Sequence, residues 1–286
     1  MTVAIAFVAY AAWRLTQRWR STRVSLSWPL AFASILPLAF GCLIQGRGWI
    51  ALLERITGQR VPRKIALALY MDSQLARYTP GMVGLPLVRI AGAERLGVPA
   101  LLVGSSVGFE MLSWTAVGGA VGFSALLGFD HAALDESRLG SLSLVLLALF
   151  ALGLLVLVAL DRARLPGFLR RALSVDGRGP LLPVALPLMH LAYWLTWLVH
   201  GVLLSLAFGA PSSLAVSGSG FYALATVGGF IALAAPAGVG VRESILSMAL
   251  ASTFGVAPAL AIAVASRAAS LLADVGVWLA LRGAGR

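Results

Sequence analysis

The chain has 286 residues, 59% of them hydrophobic and 12% charged, with mean hydropathy +0.91. A soluble domain carries about 25% charged residues and could not cover an interior this apolar, so a soluble globular protein is excluded. The net charge of +11 would suggest nucleic acid in a soluble chain. Here the arginines sit between apolar segments, as basic loops do beside anionic lipid, and no nucleic-acid partner is expected.

In chain order, 3–13 is an apolar run followed by Arg14, Arg18, Arg20 and Arg23. It reads as a short first helix, because a signal peptide carries its basic residues in front. Trp28 to Gln45 is a clear span, followed by a basic amphipathic stretch to Lys64. The segment 65–78 carries Asp72 and Arg77 and runs into Pro80-Gly81-Met82-Val83-Gly84, which must break a helix. It reads as a membrane-dipping helix followed by a hinge. Residues 98–127 form a long apolar stretch with one charge, Glu110. An acidic loop at 130–138, a span over 142–160 and a basic loop at 161–178 follow. That asymmetry places the acidic loop outside and the basic loop inside.

From Gly179 to Val241 there is no charged residue. Spans are expected over 181–208 and 220–235, with a turn at Pro211-Ser212-Ser213. After Pro236-Ala237-Gly238-Val239-Gly240 comes a short helix over 244–254 and a last span over 257–281, which holds Arg267 and Asp274. The expected fold is an all-α polytopic membrane protein of about seven crossings, with six to eight allowed by the apolar lengths. It forms a single integral membrane domain over 1–286.

Two segments echo each other, defining pseudo-repeat halves of roughly 25–127 and 181–286. Pro80, Gly81 and Gly84 match Pro236, Gly238 and Gly240 as hinges, and an arginine follows each (Arg89 or Arg242). A second break, Gly97-Val98-Pro99-Ala100 or Gly255 to Ala259, then opens a long apolar helix with an embedded charge. Paired Gly/Pro-interrupted segments point to a transporter's binding site, and freed backbone and helix ends there can hold polar substrate parts. In a glycine-rich chain they also read as ordinary loop punctuation.

Each candidate residue has a functional and a structural reading. Glu110, about mid-bilayer, costs at least about 2.5 kcal/mol to bury and needs compensation. It reads as a grip for a headgroup or proton, or as one half of a structural pair or a neutral buried acid. Arg267 and Asp274, seven positions apart, share one helix face. They either face a groove with Glu110, where Arg267 would pair with Glu110, or balance each other. Arg242 and its counterpart Arg89 suit phosphate oxygens, and Arg77 is a weaker candidate. Glu243, in a first helical turn, complements the helix dipole. His190 and His200 flank Trp194 and Trp197 without a third ligand, so no metal is expected, and the tryptophans read as interface anchors or packing. Metalloprotease, serine-hydrolase and nucleotide-binding motifs are missing, so no cofactor is expected and an enzyme is disfavoured.

The segments "ARYTPGMVGLPLVRIAGAERLGVP", "VGFEMLSW" and "ALAAPAGVGVRESIL…GVAPALAIAVASRAASLLAD" resemble the integral-membrane region of bacterial lysylphosphatidylglycerol synthases, the flippase-like domain family. Pro236 to Glu243 matches the family pattern Pro-x-Gly-hydrophobic-Gly-x-Arg-Glu. The first motif departs from it, with Met82 in place of an arginine and Leu85 in place of a glutamate, and Trp114 closes a reduced second motif. The resemblance implies a flippase-like transporter of a lipid or isoprenoid-linked amphiphile with an anionic headgroup, in the bacterial cytoplasmic membrane, without a lipid-modifying domain. The alternative is an accessory or acceptor-binding subunit beside a glycosyltransferase or lipid-modifying enzyme. Implied partners are a membrane lipid, an isoprenoid-phosphate-linked sugar, and one such enzyme.

Overall fold

The computed structural model describes residues 26–79, 82–127, 185–232 and 238–283. All regular structure there is helical: α1 Trp28–Ala33, α2 Ile35–Thr57, α3 Arg63–Ala76, α4 Gly84–Ala91, α5 Ala93–Leu96, α6 Ala100–Leu127, α7 Ala185–Ala207, α8 Ser212–Ser217, α9 Gly220–Ile231, α10 Val241–Phe254 and α11 Val256–Gly283. Among the described residues, five segments are long and apolar enough to cross a membrane: Trp28–Thr57, Ala100–Ser124, Leu186–Ala207, Ser212–Ile231 and Val256–Gly283. Large apolar side chains such as Phe32, Leu36, Leu101, Leu195 and Leu272 stay exposed, as lipid-facing positions require. The chain is an integral membrane protein. The expected spans over 3–13 and 142–160, both flanking loops and the hinge residues Pro80, Gly81 and Pro236 lie outside the described residues.

The basic stretch after Gln45 is not a separate segment. Helix α2 continues through it to Thr57 and stops at Gly58, whose φ of 68° ends the helix in the left-handed conformation. The 30 residues of Trp28–Thr57 reach about 45 Å at 1.5 Å per residue. The hydrocarbon core is about 30 Å thick, so the end bearing Glu54 and Arg55 extends past it.

The two echoing segments fold to one plan. In the first unit α3 leads through a break to α4, and a left-handed glycine, Gly97 (φ 68°), precedes the 28-residue helix α6. In the second, α9 leads through a break to α10, and Gly255 (φ 80°) precedes the 28-residue helix α11. Both breaks need glycine for close approach. A Cβ on Gly84 would lie 2.3 Å from the Ala76 carbonyl oxygen, and one on Gly238 2.3 Å from that of Gly229. These glycines let each short helix fold back on the end of the helix before it.

Within each unit the short helix packs on the long one, α4 on α6 and α10 on α11. The first helices are exchanged: α3 lies against α11, and α9 against α6. Helices α2 and α7 fill the remaining space, packed on each other and on both long helices. Small residues allow this closeness, since a Cβ on Gly118 would meet the Trp194 ring at 2.2 Å. Trp194 and Trp197 are therefore buried packing residues, not interface anchors.

Candidate functional site

Where the exchanged helices meet the long ones, the buried polar residues collect. Arg89 on α4 forms an ion pair with Glu110 on α6. The Arg89 guanidinium lies over the rings of Tyr70 and Trp49, 4.3 and 4.7 Å from their centroids, and Arg89 Nε donates to Ser73 Oγ at 2.8 Å. The second unit makes the same contact with the charges reversed. Glu243 on α10 takes a hydrogen bond from Arg267 Nε on α11 at 2.7 Å. Its other oxygen accepts the Gly240 N–H at 2.8 Å, so Glu243 also caps the helix as its position predicts.

A third pair joins the units. Arg77, just past α3, donates to Asp274 on α11 at 2.5 Å. The Tyr78 hydroxyl donates to the same carboxylate at 2.9 Å and the Cys42 thiol at 3.4 Å. The expected Arg267–Glu110 pair does not form, and Arg267 and Asp274 do not balance each other. The reason is packing: α10 and α4 each cover their own unit's long helix, so the nearest opposite charge comes from within the unit for Arg267 and Glu110. Asp274 faces α3 instead.

Arg242 differs from the other buried arginines. It is 4% exposed and, among the described residues, forms no ion pair. Its Nη2 donates to Ser266 Oγ at 2.8 Å and its Nη1 to Ser270 Oγ at 3.3 Å, and its guanidinium lies 4.8 Å from the Trp197 ring centroid. The chain of bonds has a fixed direction. The Ser34 carbonyl, 2.9 Å from His200 Nδ1, can only accept, so Nδ1 carries the hydrogen. His200 Nε2 then accepts from Ser266 Oγ at 2.9 Å, and Ser266 accepts from Arg242. His200 thus orients the serine that orients the arginine. His190 serves elsewhere, bonded through Nδ1 to Ser113 at 2.9 Å.

Two adjoining cavities, each about 50 Å³, open between the units. Arg77, Met82, Trp114 and Phe230 line both. The first adds Arg89 and Glu110, and the second adds Arg242 and Arg267. Glu243 and Asp274 stand behind the lining and hold Arg267 and Arg77 in place. Met82 reaches the cavity from a left-handed backbone conformation, φ 53°, which strains a side-chain-bearing residue by about 1–3 kcal/mol.

Of the residues that the sequence points to, Arg242, Arg267, Arg89 and Glu110 line the site, and Glu243 and Asp274 support it. Trp197 and His200 are read in the sequence only as packing or anchor and as a histidine without a metal, Trp114 only as a motif departure, and Ser266 and Ser270 go unnoticed. Ser266 and Ser270, four apart on a membrane helix, share a face and carried a readable signal. Trp114 is marked only by its place in the reduced motif. No family model matches the chain, and no curated protein matches it significantly.

Proposed function

We propose that the protein is a flippase-like transporter of an amphiphile with an anionic headgroup, acting in a bacterial cytoplasmic membrane. The two broken-helix units, read as re-entrant, are the moving parts, and the cavity between them takes the headgroup. The observation that carries this reading is a buried arginine without an ion pair. Among the described residues, four arginines (Arg89, Arg242 and Arg267 buried, Arg77 half-buried) face three buried carboxylates (Glu110, Glu243 and Asp274), and Arg242 is the one left over. A buried charge is kept in a low-dielectric interior only where it is paired or put to use. Arginine matches phosphate oxygens with two parallel donors, so an incoming phosphate supplies the missing countercharge.

The plan of two similar units with exchanged first helices supports a carrier that alternates between arrangements. The Pro236 to Glu243 motif, with its likeness to the flippase-like family, supports the same role and delivers Arg242 to the cavity.

The test is reconstitution into liposomes with headgroup-labelled anionic lipid, scoring the fraction of inner-leaflet label that becomes accessible to an external quencher. Wild type should expose label faster than empty liposomes, and Arg242→Ala should not. Equal rates for wild type, variant and empty liposomes would refute the reading.

A further inference from the structure

A groove between α2 and α3 is far larger than either central cavity, about 420 Å³ against about 50 Å³ for each of them. It shares no lining residue with them. We propose that this groove holds an anionic phospholipid of the surrounding leaflet, bound through its phosphate and retained by the protein as a structural lipid. The site is separate from Arg242, so it stands or falls independently of the transport reading.

The sequence builds the groove in two steps. On α2, Arg47, Ala51 and Glu54 recur at spacings of four and three, which puts them on one helix face. Gly58 ends α2, the chain turns, and α3 starts at Arg63 directly after Pro62. Val61 is buried in that turn, and its N–H donates to Glu54 Oε1 at 3.3 Å, which fixes the turn against α2. Arg63 and Lys64, in the first turn of α3, thus face the same groove as Arg47.

Three cations line the groove against one carboxylate, a net of +2. Glu54 is committed to the turn by the Val61 N–H and lies 3.8 Å from Arg63 Nη2. That separation is too long for a hydrogen bond, and the Arg63 side chain is 70% exposed, so its guanidinium is held weakly and is free to turn to a ligand. Arg47 and Lys64 form no ion pair among the described residues. Both side-chain types bind phosphate oxygens, arginine with paired donors and lysine as a point charge.

Depth decides between a lipid and a soluble anion. Trp28, exposed at the start of α1, suits one membrane interface. Arg47 follows 19 positions later. At 1.5 Å per residue that is about 28 Å, close to the hydrocarbon thickness of about 30 Å. The groove therefore opens at headgroup depth. Toward the midplane, Leu36 and Phe40 are exposed on the same helix face as Arg47, at spacings of four and seven. Ile50 and Leu67 give the groove itself an apolar wall. Cations at the rim with an apolar track beneath them match an upright phospholipid, phosphate above and acyl chain below. A free phosphate would use the rim alone. Basic pockets between membrane helices bind anionic headgroups in this way. Helix α3 leads into Arg77, which bridges to Asp274, so a lipid clamped between α2 and α3 steadies the helix that delivers that bridge.

The experiment is thermal unfolding of the full-length protein in neutral detergent. Mixed micelles of phosphatidylglycerol or of phosphatidylcholine are added at equal lipid content, or inorganic phosphate at the same concentration. Native mass spectrometry of the same samples counts the lipids retained. Phosphatidylglycerol should raise the unfolding midpoint by about 4 °C or more over phosphatidylcholine and over inorganic phosphate. The shift should shrink in about 1 M salt, because the groove is open to solvent. The triple variant Arg47→Gln/Arg63→Gln/Lys64→Gln changes only exposed side chains, and it should lose the shift together with one retained phosphatidylglycerol. Lys64→Gln alone should lose part of the shift, which keeps the inference testable if the triple variant fails to fold. Arg242→Gln should keep both the shift and the lipid. An equal shift with phosphatidylcholine or inorganic phosphate, a triple variant that keeps the full shift and lipid count, or loss of both in Arg242→Gln would each overturn it. A retained lipid with no transfer in liposomes would leave this inference standing and sink the transport reading alone.

Discussion

The two broken-helix units are built to one plan, yet they spend their charges differently. In the first, Arg89 and Glu110 form a closed pair, wrapped by Trp49 and Tyr70 and tied to Ser73. Both charges of that buried pair are matched. In the second, Glu243 and Arg267 repeat the pair with reversed polarity, and Arg242 is added with only serines and an indole ring beside it. The contacts made by the exchanged helices differ in the same way. Arg77 at the end of α3 binds Asp274 on α11, whereas Phe230 near the end of α9 meets the Trp114 ring on α6, 5.1 Å between centroids. The first unit's buried pair is closed and holds the fold; in the second, Asp274 is taken by Arg77 of the first unit, which leaves Arg242 without an ion pair among the described residues, beside an aromatic wall. On the proposed function, the repeated architecture separates a structural pair from a site left open for a ligand.

The sharpest way to break this contrast is to open the closed pair. Arg89→Ala or Glu110→Ala strands its partner as a lone buried charge, which costs about 3–5 kcal/mol. Thermal unfolding in detergent should show a large loss for either variant. The double variant Arg89→Met/Glu110→Leu should recover most of it, because well-packed apolar replacements of a buried pair are often neutral. Arg242→Gln should behave in the opposite sense. It removes a buried charge that has no ion pair among the described residues, so the unfolding temperature should hold or rise while lipid transfer falls by about tenfold or more.

The bridge between the units is intermediate. Asp274→Asn keeps the shape but takes the countercharge from Arg77, whose side chain is 23% exposed and can reach water. A loss of roughly 2 kcal/mol in chemical unfolding is expected, below that of the closed pair, with a several-fold drop in transfer. The smallest effects separate the two glycines that precede the long helices. Gly97 adopts φ 68°, ψ 30°, with open space around a Cβ, so Gly97→Ala should cost only about 1 kcal/mol. Gly255 adopts φ 80°, ψ 161°, a region essentially reserved for glycine, so Gly255→Ala should cost roughly 2 kcal/mol. Equal losses in thermal unfolding would show that the two junctions are not distinguished by backbone strain.

Much of this is legible in the sequence for physical reasons. Long runs without charge force membrane helices, and the Pro/Gly clusters at 80–84 and 236–240 force breaks, so the repeated plan can be read directly. Rare charges in apolar helices mark the polar core, which is why Arg242, Arg267, Arg89 and Glu110 are found at the cavities. Their pairing is not legible, because it depends on which helices are neighbours. Joining Arg267 to Glu110 follows charge alone, whereas packing of α4 on α6 and α10 on α11 joins each to a residue of its own unit. Trp114 stands out in the sequence only as a motif departure, and its role was out of reach for a different reason. A tryptophan in an apolar helix looks like any packing residue until its unmet N–H is seen beside the cavity.

The central claim is that the surplus buried cation Arg242 serves a ligand and not the fold. The most direct measurement is the rate of headgroup-labelled phosphatidylglycerol transfer in liposomes for wild type and Arg242→Gln, with the unfolding temperature of each preparation measured alongside. The account predicts at least about tenfold slower transfer at an unchanged or higher unfolding temperature. Unchanged transfer, or a loss of transfer that only tracks a loss of stability, would contradict it.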